Sequence, residues 1–292
     1  MILLFGDSWA RHSCCHLVDK DNEYQTTARF KSVKNFQPRY GYRHWKFDDV
    51  FVEFQTSDWF NSYFKRNPVI NFAEFGNTND WIVENIFQRT AGISNFGQKL
   101  DLVIFQTDPI RIFAPREDFT DKDVVWPKFL AWTKQYKFDY ETQLFDALIS
   151  KIFYNFYQGI NSSVAHAKKH YNVDISVHLV GGVSAIHNSI SQFPNFNILI
   201  PSVSEFFGYK NDTVFESHLA LHRFIGFWAS NVSKRQRSIL LNRWNHYDKE
   251  ITRKTNFWAD NPQYFAGRHL TSQSFEILAD YIEKHIADSQ TS

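Results

Sequence analysis

The segment MILLFGDSWA places Ser8 directly after a short apolar run and a Gly-Asp pair. The run ILLF is typical of a short buried strand, and Gly6 and Asp7 are typical of the turn that ends such a strand. A serine exposed in this turn can attack an ester carbonyl if a base removes its proton. A serine in the same place can instead accept a backbone N–H bond as the N-cap of a following helix. The segment alone therefore leaves two roles open for Ser8, nucleophile and cap.

Two other patterns resemble functional sites but are too incomplete to predict one. His218 and His222 are four residues apart, a spacing that suits a metal ion on a helix, but no third ligand accompanies them. Residues 181–185, GGVSA, resemble a nucleophile elbow without its closing glycine and are better explained as a turn after a strand. The chain contains neither a G-x-G-x-x-G sequence nor a P-loop, which disfavours a nucleotide-binding domain. We therefore expect no metal and no cofactor.

The composition is that of a globular protein without a general electrostatic preference. The chain has 292 residues, of which 43% are hydrophobic and 22% charged, and a net charge of +1. Such a balance gives no overall attraction to nucleic acid or to a membrane. Cys14 and Cys15 are adjacent, which disfavours a structural disulfide and builds no zinc site. Because there is no signal-like start and no long apolar segment, we expect a cytoplasmic protein. Its oligomeric state is left open.

One segment has the composition to recognise an anionic polymer. Residues 29–47 interleave aromatic side chains, among them Trp45, with lysines and arginines, and contain no acid. Aromatic faces stack on sugar rings or bases, and the cations would attract anionic groups. Alternatively, these rings simply pack against the domain. A second basic segment, residues 233–254, is interpreted as the solvated face of a helix.

Short apolar runs alternate with helical patterns along the chain, which predicts a parallel sheet with helices on both faces. After the first run, a second strand is predicted in PVINFAEFGNTND, ending at Gly76. A third is predicted in LDLVIFQTDPIR, ending near Thr107 and Asp108, and two more in VDISVHLVGG and FNILIPSV. The sequence therefore predicts an α/β fold with a five-stranded sheet.

Apolar residues at helical spacing predict a long crossover helix over residues 144–156 and a last helix that starts near Thr271. No repeat, low-complexity tract or Gly/Ser linker divides the chain. We therefore expect a single domain over residues 1–292, with insertions near residues 20–66, 112–140 and 205–260.

In such a sheet, ligands bind outside the carboxyl ends of the strands, and these ends carry GDSWA, EFGNTND and QTDPIR. Together with the late segment YFAGRHLTSQSFEILADYI, they resemble the motifs of the SGNH/GDSL hydrolase family. The resemblance implies a flavodoxin-like, three-layer α/β/α fold with a five-stranded parallel sheet. It also implies that Ser8 is a nucleophile and that His269 is its base.

The resemblance further implies an oxyanion hole, the set of donors that stabilises charge developing on the attacked carbonyl oxygen. The backbone N–H groups of Ser8 and Gly76 would supply two donors. Thr107 stands where the family has an asparagine and would supply the third, with Asn77 or Asn79 as the alternative. A neutral Asp108 is a further candidate donor.

The family's aspartate, three residues before the histidine, is replaced here by Ala266. Either the imidazole is held by a backbone carbonyl or a water, giving a Ser–His dyad, or a distant carboxylate such as Asp260 orients it. The residues predicted to bind substrate around the same edge are Asp108, Arg111, Trp9 and Trp45.

The predicted function is therefore that of a serine esterase acting on a small-molecule or glycan ester, such as an O-acetylated carbohydrate. The alternative is a catalytically silent relative that binds a glycan or a protein partner. Neither nucleic acid nor a membrane is an expected partner.

Overall fold

The structure, a computed structural model, describes residues 1–11, 17–18, 24–25, 31–32, 50–51, 59–74, 77–92, 99–107, 144–212, 253–254, 256–266 and 269–291. At its centre lies a sheet of five strands, each parallel to its neighbours. Within the described ranges, six further strands, each of two residues, pair in three antiparallel ladders outside this sheet. In chain order the strands are β1 (Ile2–Phe5), β2 (Leu17–Val18), β3 (Tyr24–Gln25), β4 (Lys31–Ser32), β5 (Val50–Phe51), β6 (Val69–Asn71), β7 (Leu100–Gln106), β8 (Ile175–Gly181), β9 (Phe196–Ile200), β10 (Phe265–Ala266) and β11 (His269–Leu270).

The central sheet has the spatial order β6-β1-β7-β8-β9. The second of its strands along the chain thus lies at one edge, beside the first, and the other three follow in sequence. This is the order of flavodoxin-like sheets, in which the crevice outside the first and third strands is the usual place for a ligand. The predicted fold class, with its five-stranded parallel sheet, is confirmed.

The helices that follow the strands are α1 (Ser8–Arg11), α2 (Asn79–Gly92), α3 (Leu144–Tyr171), α4 (Val203–Phe206) and α5 (Ser272–Thr291). The predicted crossover helix is α3, which is longer than the apolar spacing indicated. The predicted last helix is α5, and the Thr271 hydroxyl accepts the backbone N–H of Ser274 at its first turn.

Helices on both faces of the sheet produce two hydrophobic cores. One core joins the sheet residues Leu3 and Phe5 to apolar residues of α2 and α3. The other joins Ile2 and Leu4 to α5 and to Phe60, which belongs to a 3-10 turn at Phe60–Tyr63. Because both faces are covered, β1 and β7 are buried along their whole length. This explains why β1 is entirely apolar and why β7 is apolar except for Asp101 and Gln106.

The second strand of the sheet ends earlier than the sequence predicts. β6 ends at Asn71, whose side chain accepts the N–H of Ala73 and donates to the carbonyl of Ala10. The backbone N–H groups of Phe72 and Glu74 still donate to carbonyls of the first strand and its turn. The segment therefore remains hydrogen-bonded to the sheet as far as Glu74, the end of the described stretch.

The predicted insertions fall largely outside the described residues. The insertion near residues 112–140 lies wholly outside them, and only parts of the other two are described. No helix in the described ranges is both long enough and apolar enough to cross a membrane.

Candidate active site at the carboxyl edge of the sheet

The turn after β1 requires a glycine. Gly6 has a φ of +155°, a backbone conformation that residues with a side chain rarely adopt. A Cβ at this position would lie 2.8 Å from the Cβ atoms of both Ala10 and Phe105. The chain therefore turns closely over β7 as it leaves the sheet, and this turn presents the next residues at the carboxyl edge.

Asp7 occupies the N-cap position of α1. Its carboxylate is buried, and Oδ1 accepts the backbone N–H of Trp9 at 2.9 Å. Ser8 is the first residue of the helix, so the capping hydrogen bond that a serine often accepts is accepted here by Asp7. The backbone of Ser8 is described, whereas its side chain lies outside the described part.

His269 lies in the strand β11, which packs against α1. This strand forms an antiparallel ladder with β10, in which Ala266 is the partner of His269 and Phe265 that of Leu270. His269 is partly buried, and Leu270 is fully buried in the core that also contains Trp9. The structure therefore brings the helix that begins at Ser8 next to the strand that carries His269.

Trp9, a predicted substrate-binding residue, belongs to this core. Only 2% of its surface is exposed. Its ring centroid lies 5.6 Å from that of Trp258 and 6.4 Å from that of Phe265. In this arrangement Trp9 packs helix α1 against the ladder that holds His269.

Asn77 also stabilises the turn after β1. Its side chain is 1% exposed, and Nδ2 donates to the carbonyl of Gly6 at 2.9 Å. Among the described residues, no group donates to its Oδ1. Asn77 thus links the segment after β6 to the turn that precedes Ser8.

Thr107 and Asn79 bind each other at the end of β7. Asn79 Oδ1 accepts the Thr107 N–H at 3.1 Å and the Thr107 hydroxyl at 2.8 Å, and both residues are fully buried. The hydroxyl proton of Thr107 is therefore used within the protein. This arrangement fixes the end of β7 to the start of α2.

A second buried network fixes the end of β7 to β8 and α3. The Tyr157 hydroxyl donates to Gln106 Oε1, and Gln106 Nε2 donates to the Ser184 hydroxyl at 3.2 Å. Ser184 in turn donates to the carbonyl of Thr107 at 3.2 Å. Burial raises the pKa of Tyr157, so its hydroxyl keeps the proton that it donates.

Of the remaining predicted site residues, Asp260 falls in the described part of the chain. Asp260 is exposed at the end of the helical turn 256–260, and within the described part no hydrogen bond or ion pair joins it to His269. Gly76, Asp108, Arg111 and Trp45 lie outside the described residues, as do His218 and His222. The described residues contain no group of three or more histidine, cysteine or acidic side chains that could hold a metal ion.

Sequence reasoning missed a buried ion pair beside the site. Lys254 Nζ binds both carboxylate oxygens of Asp212, at 2.7 and 2.6 Å, and the two side chains are 1% and 0% exposed. Asp212 also accepts the hydroxyl of Ser202, the residue that caps α4. The interpretation of residues 233–254 as a solvated face is therefore wrong for Lys254. Its partner lies 42 residues away, so local sequence carries no signal of the pair.

Comparisons of the chain with protein-family models, with curated proteins and with solved structures gave no match. The chemistry that the site can perform follows from its own residues.

Proposed function

We propose that the protein is a serine ester hydrolase of the SGNH/GDSL type, in which Ser8 is the nucleophile and His269 the base. His269 would take the proton of Ser8 Oγ as the oxygen attacks the ester carbonyl, and would then give that proton to the departing alcohol. Water, activated by the same imidazole, would hydrolyse the acyl-serine. Neither step needs a cofactor.

The observation that carries this proposal is the packing of α1 against β11. Ser8 opens the helix and His269 lies in the strand, although 261 positions separate them in the sequence (269 − 8). The buried rings of Trp9 and Phe265 extend the contact between the two elements. A serine and a histidine held near one another at the carboxyl edge of a parallel sheet are a favourable starting point for nucleophilic catalysis.

The oxyanion hole would use the N–H groups of Ser8 and Gly76 and one side chain. The Thr107 hydroxyl donates to Asn79, which argues against Thr107 as the third donor. Asn77 donates one amide N–H to Gly6 and has a second N–H on the same nitrogen. We therefore favour Asn77 for this role.

The proposed substrate is an acylated carbohydrate. Support comes from the sequence of residues 29–47, whose aromatic and basic side chains suit the faces of sugar rings and anionic groups. A serine esterase does not require residues 29–47 for the chemical step itself. We therefore expect this segment to lower the KM for the glycan and to leave the turnover of a small ester unchanged.

A catalytically silent binding protein is the second candidate, and two observations favour it. Asp260 makes no bond to His269 in the described part, and the hydroxyl of Thr107 is engaged by Asn79. In a well-studied protease, loss of the triad carboxylate reduces turnover by about 10⁴-fold.

Hydrolysis of p-nitrophenyl acetate and a panel of O-acetylated sugars distinguishes the two candidates. We expect Ser8→Ala and His269→Ala each to abolish most turnover, and the double variant to lose no more than either, because the residues act as one unit. Ser162→Ala and His170→Ala, at exposed positions of α3, are matched controls and should retain full turnover. A folded wild-type protein that is inert on the whole panel would instead favour the binding protein.

A further inference from the structure

Trp258 is in contact with both elements that carry the proposed catalytic pair. Its side chain is buried, and its ring centroid lies 5.6 Å from that of Trp9 and 5.9 Å from that of Phe265. Trp9 directly follows Ser8 in α1. Phe265 pairs with Leu270, the neighbour of His269, across the β10–β11 ladder. One indole ring therefore packs against the helix of the nucleophile and against the ladder of the base.

The ring of Trp258 is itself fixed by buried polar groups that follow β9. Its Nε1 donates to the hydroxyl of Ser204 in α4 at 3.1 Å. The ammonium of Lys254, held by Asp212, lies 5.7 Å from the indole centroid, within the range of a cation–π contact. These partners are buried, so water cannot readily replace a lost bond. Rotation or displacement of the indole would therefore leave a buried donor unpaired.

We propose that Trp258, anchored by Ser204 and the Lys254–Asp212 ion pair, is a positioning residue that sets the distance between Ser8 and His269. This inference rests on the proposed esterase function. Trp258 is 3% exposed, so it acts through Trp9 and Phe265 and not by touching substrate. A misplacement of about 1 Å between reacting groups can cost about 100-fold in rate, which makes turnover sensitive to this ring.

The test compares Trp258→Phe and Ser204→Ala with a control, Phe196→Leu. Phe196 is a buried aromatic residue of β9 in the other core, on the opposite face of the sheet from Trp258, so its variant tests loss of stability alone. The measurements are kcat and KM for p-nitrophenyl acetate, the melting temperature, and the rate at which a fluorophosphonate labels Ser8. Ser204→Ala retains the indole side chain but removes the hydrogen bond that anchors it, and so preserves the test if Trp258→Phe does not fold.

We expect kcat and the labelling rate to fall about 10- to 100-fold in both site variants, with KM within about twofold of wild type. The double variant should lose little more than either single variant, because both remove the same hydrogen bond. The control should keep its kcat despite a similar loss of melting temperature. Unchanged kcat in both folded site variants, or an equal kcat loss in the control, would overturn the proposal.

An NMR titration of the His269 imidazole separates failure of this inference from failure of the proposed function. If wild type neither hydrolyses the ester nor becomes labelled, the esterase function is wrong. The positional claim is then judged by NMR alone. It predicts that the His269 ring signal shifts in Ser204→Ala and not in Phe196→Leu, and an unshifted signal in Ser204→Ala overturns it.

Discussion

Replacement of Gly6 by alanine should destabilise the protein by about 2–6 kcal/mol. Two effects contribute to this value. The φ of +155° is sparsely populated by residues with a side chain, and such strain costs about 1–3 kcal/mol. The new methyl group would also lie 2.8 Å from the Cβ atoms of Ala10 and Phe105, and overpacking of this kind costs about 1–3 kcal/mol.

Gly208→Ala is the matched control for this prediction. Gly208 also has a positive φ, +106°, but a Cβ there would meet no atom within 4 Å. Its substitution therefore carries the backbone strain without the steric contact, about 1–3 kcal/mol. Urea unfolding, followed by tryptophan fluorescence and far-UV circular dichroism, gives the free energy of unfolding of both variants. If Gly6→Ala cost no more than Gly208→Ala, the close approach of the turn to β7 would be refuted.

Two further predictions concern groups outside the candidate site. Glu283 is buried, and its carboxylate accepts backbone N–H bonds at 2.7 to 3.0 Å. Glu283→Gln turns one acceptor oxygen into a donor and should lower the free energy of unfolding by about 2–4 kcal/mol. A loss below about 0.5 kcal/mol would contradict this. The donors are the backbone groups of Lys65, Arg66 and Asn67. Burial lowers the pKa of His187, so the unfolded chain takes up the proton first and the free energy of unfolding should fall as the pH drops below about 6.5. His187→Asn, which can still accept the Ser189 N–H, should remove this part of the pH dependence of the free energy of unfolding between about pH 7 and 5. An unchanged slope of that free energy against pH would contradict the prediction.

The sheet was predictable because its physical requirements are local. A strand covered on both faces must be largely apolar, and in β7, whose seven residues are all buried, only Asp101 and Gln106 are polar. These two side chains are hydrogen-bonded, Asp101 to His178 and Gln106 to Tyr157. The spacing of apolar residues likewise located α3 and α5. Strand ends were less predictable, since β6 ends where the Asn71 side chain takes over backbone hydrogen bonds.

The site was only partly predictable, because its contacts join distant segments. Nothing near Lys254 in the sequence indicates that Asp212 will bury it, and a basic segment is ordinarily solvated. Ser8 was the only residue considered as a cap of the first helix, whereas Asp7, a residue type that caps about equally well, takes that position. The bond between Thr107 and Asn79 likewise depends on how the ends of two elements meet at the sheet edge.

The most direct test of the account is the site at which a fluorophosphonate reacts with the folded wild-type protein. Intact mass followed by peptide mapping identifies the modified residue. The account predicts a single adduct on Ser8, which is lost in Ser8→Ala and forms far more slowly in His269→Ala, since the imidazole must take the proton of the hydroxyl. A protein that remains unlabelled, or that carries its adduct at another residue, would contradict the assignment of Ser8 as an activated nucleophile.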